Sequence, residues 1–186
     1  ASGAITDGAS VIVNANGTIS SVLSSPDSLG DQSSAIYSGT YGMSDNVYDT
    51  GQDKVLFIYS GPSNYGYSVV GTVSNNSISF GTPVVFSSAT TYYLAATFDP
   101  DAGKTGIFWA DYGDGQKGKA CVATISGTSV SYGTTVTFYT PASSGTPIKD
   151  STYDTSENKI LVAYTSSGST SHIIAGTISG TDISFG

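Results

Sequence analysis

The sequence predicts an all-β protein of repeated four-stranded antiparallel units, arranged like the blades of a β-propeller, with an internally duplicated β-sandwich as the alternative. Three observations predict it. A motif of about fifty residues recurs three times along the chain. Each copy contains four short runs rich in β-branched and aromatic residues, separated by Gly, Asn and Asp. No window carries the 3.6-residue apolar stripe of an amphipathic helix.

The repeat is anchored by three segments. Tyr48-Asp49-Thr50-Gly51-Gln52-Asp53-Lys54 precedes the apolar run Val55–Tyr59. Phe98-Asp99-Pro100-Asp101-Ala102-Gly103-Lys104 precedes Thr105–Trp109, and Tyr153-Asp154-Thr155-Ser156-Glu157-Asn158-Lys159 precedes Ile160–Tyr164. Lys54 and Lys104 are 50 residues apart, and Lys104 and Lys159 are 55 apart. Downstream, Gly71-Thr72-Val73-Ser74 answers Ala123-Thr124-Ile125-Ser126 and Gly176-Thr177-Ile178-Ser179. Ser77-Ile78-Ser79-Phe80-Gly81 then answers Ser129-Val130-Ser131-Tyr132-Gly133 and Asp182-Ile183-Ser184-Phe185-Gly186.

In the second copy the expected strands are 93–98, 105–110, 119–126 and 129–138. Alternation in Ser77-Ile78-Ser79-Phe80 marks a strand with one buried face. Val55–Tyr59 and Ile160–Tyr164 are nearly continuous apolar runs, which suggests strands covered on both faces. The chain reads as one all-β repeat domain over 1–186, with an irregular N-terminal hairpin module at 1–40 and repeats at about 43–92, 93–147 and 148–186. In the first module Asn16-Gly17 is the turn signal between Val11–Asn14 and Thr18–Val22. Residues 28–37 loosely resemble the closing strand of a unit. The last copy reaches Ile183-Ser184-Phe185-Gly186, where its sisters continue into a further strand half, so an open edge needing cover is expected.

Composition narrows the partners. The 186 residues include 23 Gly and 13 Tyr, only 11% are charged, and the net charge is −8. Six Lys+Arg against fourteen Asp+Glu argue against a phosphate backbone or an anionic membrane as partner. No apolar run reaches the ~20 residues of a membrane-spanning helix, and no secretory leader is visible. The single cysteine, Cys121, permits no intrachain disulfide and reads as a small strand residue.

Few residues suggest chemistry. His172 is the only histidine, falls at a strand start near the positions of Ser68 and Lys119, and lacks the partners of a triad or metal centre. Asp99-Pro100-Asp101-Ala102-Gly103 has the outline of a calcium loop, but Lys104 follows and the sister turns lack the second Asp, so an Asp-capped turn is the better reading. Asp111-Tyr112-Gly113-Asp114-Gly115 is the better cation candidate. No metal or other cofactor is expected. Trp109 aligns with Tyr59 and Tyr164 and should fill a layer between units rather than form a sugar platform. Tyr65, Tyr67 and Tyr112, read as lying in polar loops, are the candidate contact residues for a ligand, together with Asp111 and Asp114. Asn16-Gly17-Thr18 and Asn75-Asn76-Ser77 fit the glycosylation pattern and are read as turns.

The pattern aromatic-Asp-turn-Lys-strand-Tyr, then Gly71-Thr72-Val73-Ser74, then 77–86, resembles repeats in tail-fibre and other appendage proteins of bacteriophages. Residues 1–8 and 11–18 are similar to a short module that precedes such repeats. The resemblance spans nearly the whole chain. It implies a non-enzymatic virion surface or appendage protein, such as a tail fibre, head fibre or capsid decoration, located extracellularly and serving structure or adhesion. The partners expected are further copies of the chain, other virion proteins or a host surface glycan. A lectin-like propeller is the alternative, and a polysaccharide depolymerase comes third. The family pattern brings no catalytic residues to this chain.

Overall fold

The computed structural model of the chain describes residues 11–16, 19–21, 36, 43–75, 77–143, 147–166 and 170–186. It divides into two compact units, 1–32 and 33–186. In the first, β1 (Val11–Val13) and β2 (Ile19–Ser21) form an antiparallel hairpin with Ile12 opposite Ser20. This is the pairing expected across Asn16, although Gly17 lies outside the described residues, as does all of 28–37 except Ile36.

The second unit is a series of three antiparallel sheets. The first holds β3 (Ser44–Asp49), β4 (Lys54–Ser60), β5 (Gly66–Ser74), β6 (Ser77–Phe80) and β7 (Val84–Ser87). The second holds β8 (Thr91–Asp99), β9 (Lys104–Asp111), β10 (Lys117–Ser126), β11 (Ser129–Tyr132) and β12 (Val136–Tyr139). The third holds β13 (Ile148–Asp154), β14 (Lys159–Thr165), β15 (Ser171–Ser179) and β16 (Asp182–Phe185). Each is a meander in chain order. The expected fourth strand of the second copy, 129–138, is a correction: it is two strands, β11 and β12, which both pair with β10 on either side of Gly133-Thr134-Thr135. The first sheet breaks the same way at Gly81-Thr82-Pro83. The physical reason lies at the glycine. A Cβ on Gly81 would stand 2.2 Å from the carbonyl oxygen of Thr128, and one on Gly133 would stand 1.7 Å from that of Thr181. The strand must kink there to admit a turn of the following sheet.

The repeated Asp has the turn-capping job that its recurrence suggests. Asp49 Oδ1 accepts the N–H groups of Gly51 and Gln52 at 2.9 and 3.0 Å. Asp99 Oδ1 accepts those of Asp101 and Ala102 at 3.0 and 2.9 Å. Asp154 Oδ1 accepts from Ser156 N and Oγ at 2.8 and 2.6 Å. Each turn closes on a left-handed residue before the Lys: Asp53, Gly103 and Asn158, all at φ between 53° and 61°. Asp, Gly and Asn tolerate that region best, because a short polar side chain or none relieves the Cβ clash.

The sheets stack face on face. The second sheet lies between the other two, and period-2 alternation divides its side chains between two cores. Ile107, Trp109, Cys121, Ala123 and Ile125 pack with Leu56, Ile58 and Val70 of the first sheet. Phe108, Ala120 and Val122 pack with Ile160, Val162 and Tyr164 of the third. The two junctions repeat each other in detail. Phe86 meets Trp109 edge to face at 5.2 Å, and Phe138 meets Tyr164 likewise at 5.7 Å. Phe86 lies over Gly66 and Phe138 over Gly118, where no Cβ could fit. The first strands of the sheets add polar ties: Asp45 Oδ2 accepts the Ala96 N–H at 2.9 Å, and the Thr97 hydroxyl donates to Ser151.

One expectation is corrected in part by this stacking. Val55–Tyr59 and Ile160–Tyr164 belong to the outer sheets, so only one alternate set in each is sealed against the second sheet; Val55, Phe57, Leu161 and Ala163 are half-buried, while Tyr59, on the outer face, is buried. The strand fully covered on both faces is β9, where every residue from Thr105 to Asp111 is buried. The described residues form neither a closed barrel nor a closed ring of sheets.

Trp109 is 1% exposed and fills the layer between the first and second sheets, as its alignment with Tyr59 and Tyr164 suggests. Trp109→Ala is expected to cost about 3–5 kcal/mol in denaturant unfolding, and the native indole should emit blue-shifted fluorescence that acrylamide quenches poorly. Gly133→Ala should cost about 1–3 kcal/mol, because the added methyl must push the 180–181 turn away. A neutral effect on the urea midpoint would refute that junction geometry.

Candidate binding loops

The connections β4–β5 and β9–β10 carry the candidate contact residues. In the first, Pro62–Asn64 makes one 3₁₀ turn and Tyr65 follows, half-buried. Tyr67 was expected in a loop. It lies instead inside β5, opposite Tyr59, with the two rings stacked at 5.7 Å. Pairing with Tyr59 holds it in the sheet, because the Gly66–Tyr67 segment also pairs with β7.

The second loop gathers Asp111, Tyr112 and Asp114. Asp111 is 8% exposed, and its Oδ1 accepts the N–H groups of Gly113 and Asp114 at 3.0 and 3.1 Å. It therefore does the same capping work as Asp49 and Asp99, and the oxygen that a cation would need is engaged. Asp114 is bracketed by two ammonium groups, Lys117 at 2.9 Å and Lys119 at 2.7 Å. The Lys119 hydrogen bond, with that of Lys117 next, holds its carboxyl down at about 2. A carboxylate already neutralised by two lysines offers little to a metal. Among the described residues no three His, Cys, Asp or Glu side chains come together as a metal site.

Tyr112 is half-buried in an aromatic corner that the sequence reading missed. Its ring meets Tyr92 edge to face at 5.0 Å and Tyr93 at 6.2 Å, and its N–H donates to the Thr90 carbonyl at 2.8 Å. Partial burial first, then the neighbouring Tyr93, raises its phenol above the ordinary range. The signal in the sequence was the Tyr92-Tyr93 pair at the head of β8, where a bulge between Tyr92 and Ala95 and a left-handed Tyr93 at φ 53° re-aim both rings. This corner can offer aromatic faces and phenol hydroxyls beside an ion-paired cluster. Tyr65, in the β4–β5 connection, and Tyr67, in β5, belong to the first sheet's side of the molecule and not to this corner.

Two other places bear on chemistry. His172 stacks on Tyr164 at 5.4 Å and shares a hydrogen bond with Ser166 Oγ at 2.9 Å. Both imidazole and hydroxyl are at the surface, and among the described residues no carboxylate hydrogen-bonds the ring as a triad requires. A shallow groove of about 430 Å³ runs along the first strands of the three sheets, between Tyr48, Thr97, Pro100 and Tyr153. Burial, then the carboxylates of Asp99 and Asp101, pushes the Tyr153 phenol up to about 12. Cys121 is fully buried, and that burial alone raises its thiol to about 12, as befits a core residue.

No known protein family matches this chain, and no curated protein sequence matches it. No helix among the described residues is long and apolar enough to cross a membrane.

The ion-paired loop makes a direct prediction. Asp114 should titrate near 2 by carboxyl NMR, and Lys119→Gln should move it up toward the ordinary value of 3.8. Because the folded value is depressed, the ion pairs stabilise the loop above pH 3.8 and lose that effect as the pH falls toward 2. An Asp114 titration at the ordinary value in the native protein would remove the ion pairs from solution.

Proposed function

We propose that the chain is a non-enzymatic structural or adhesive module of a virion surface, on a tail fibre, head fibre or capsid decoration, and that its three sheets are consecutive blades of a propeller-like array. The observation that carries this reading is the junction built twice from the same positions: Phe86 on Trp109 and Gly81 under Thr128, then Phe138 on Tyr164 and Gly133 under Thr181. Like packing of successive units serves shape rather than chemistry. The acids that a hydrolase would use support it too, since Asp49, Asp99, Asp111 and Asp154 cap turns. The propeller reading rests on meandering four-stranded order with the first strands β3, β8 and β13 neighbouring one another. The virion setting rests on the likeness of the repeat to those of phage appendages.

A second reading has its own support in the Tyr92–Tyr93–Tyr112 corner: aromatic faces beside polar loops are the chemistry of sugar recognition. Under it the adhesive partner is a host surface glycan.

Antibody raised to this chain and applied to purified particles should decorate their surface in electron micrographs. Particles without label, and without the chain by mass spectrometry, would defeat the virion assignment. On a glycan array, binding that Tyr112→Ala abolishes would establish the lectin reading, and an empty array would leave a purely structural module. Release of reducing sugar from host capsule would overturn the non-enzymatic reading.

A further inference from the structure

The anchor of each repeat joins its capping Asp to an aromatic residue, and the three aromatics share one groove. Tyr48, Phe98 and Tyr153 stand one residue before the ends of the first strands β3, β8 and β13, and all three line the groove that crosses those strands. So do the residues two places on, Thr50, Pro100 and Thr155. The same pair of positions therefore reaches the groove from every sheet. Tyr48 is 51% exposed, and Phe98 and Tyr153 are half-buried. Trp109 and Tyr164, by contrast, are buried in the cores between sheets.

Each ring is held in place. The Tyr48 hydroxyl donates to Asp53 Oδ1 at 2.6 Å, which fixes the ring over its own turn. Phe98 Cζ lies 3.9 Å from where a Cβ on Gly51 would stand, so this ring rests on the capped turn of the preceding sheet. Tyr153 leans the same way, beside Asp99 and Asp101 of the second turn. Beneath the rings the strands are tied across: Asp45 to the Ala96 N–H, and Thr97 to Ser151. A site whose walls and floor are fixed beforehand loses little freedom when a ligand enters.

The chemistry of the lining selects the occupant. Between the rings it is rich in hydroxyls, those of Thr50, Thr97, Ser151, Thr152 and Thr155. Among the described residues that line the groove none is Lys, Arg or His, and carboxylates stand beside Tyr48 and Tyr153. These surroundings disfavour an anion and suit a ligand that combines apolar faces with many hydroxyls. Face-packed sheets lie about 10 Å apart, so equivalent rings recur at a regular interval, as the faces of a polymer of like units do. We propose that the groove binds a linear, neutral glycan chain laid across β3, β8 and β13, its sugar faces on Tyr48, Phe98 and Tyr153 and its hydroxyls on the Thr and Ser side chains between them. Three modest contacts on one chain add up, because each binding event holds the next sugar close to its ring. The proposal deepens the adhesive reading, on which it rests, and needs neither the Tyr112 corner nor the virion setting.

Affinity electrophoresis of the full chain in native gels tests it, with hydroxyethylcellulose, glucomannan, xylan or pullulan as neutral probes and alginate or dextran sulfate as anionic ones. At least one neutral polymer should retard the chain, and neither anionic polymer should. Tyr48→Ala should weaken that retardation by about tenfold, the loss of one aromatic face. Tyr48→Phe keeps the face and should retain it, and Tyr112→Ala should leave it unchanged. Tyr48 is exposed, so circular dichroism should report the parent fold in both of its variants. A chain that no neutral polymer retards overturns the proposal, as does retardation that survives Tyr48→Ala. Retardation lost in Tyr112→Ala but not in Tyr48→Ala moves the glycan to the other corner and also overturns it. Binding of a proline-rich peptide in place of every glycan would make the groove a peptide site and defeat the proposal. Particle labelling is untouched by these outcomes, so the virion assignment stands or falls separately.

Discussion

The structure depends on burying the second sheet from both sides. Along β9 and β10 successive residues point to opposite cores, so Ile107 and Trp109 serve one junction and Phe108 the other. Burial of side chains of this size contributes on the order of 1.5–3 kcal/mol each, and no single sheet of this length could hide both its faces alone. Each sheet is stable because its neighbours are there. That makes the chain quasi-one-dimensional: energy resides in the units and in the nearest-neighbour interfaces between them.

The same constraint explains where side-chain chemistry has been removed. Carboxylates inside the array are placed at strand ends, where backbone N–H groups need acceptors, and Asp49, Asp99 and Asp111 are buried in that role. A buried carboxylate that accepts two N–H groups has little left to offer a substrate or a cation. Glycine appears where two backbones or a ring must come close, as at Gly118 beneath Phe138 and Gly133 against Thr181. The loops escape this rule, and the aromatic corner around Tyr112 lies in one of them.

Much of the fold was legible in the sequence because its signals are local. Alternation, the Asp-turn-Lys anchor and the left-handed Asp53, Gly103 and Asn158 all express constraints within one unit, so they recur and can be aligned. The site was less legible. Tyr67 looks like a loop residue beside Gly66, and only pairing with Tyr59 and β7 holds it in a strand. Asp111 and Asp114 look alike in sequence. One becomes a buried cap and the other a half-buried ion pair, because Lys117 and Lys119 return along β10 within reach of only the second.

By itself the sequence determined the strand class, the repeat, the capping Asp and the role of Trp109 as a layer-filling aromatic, since backbone period and turn chemistry need no distant partner. Tertiary structure alone decided which face of each sheet is sealed. Val73 and Ile125 carry the same pattern, as do Ile173 and Ala120, yet one of each pair is exposed and the other buried. Burial is a property of what lies across a junction, and that neighbour is some fifty residues away in the chain.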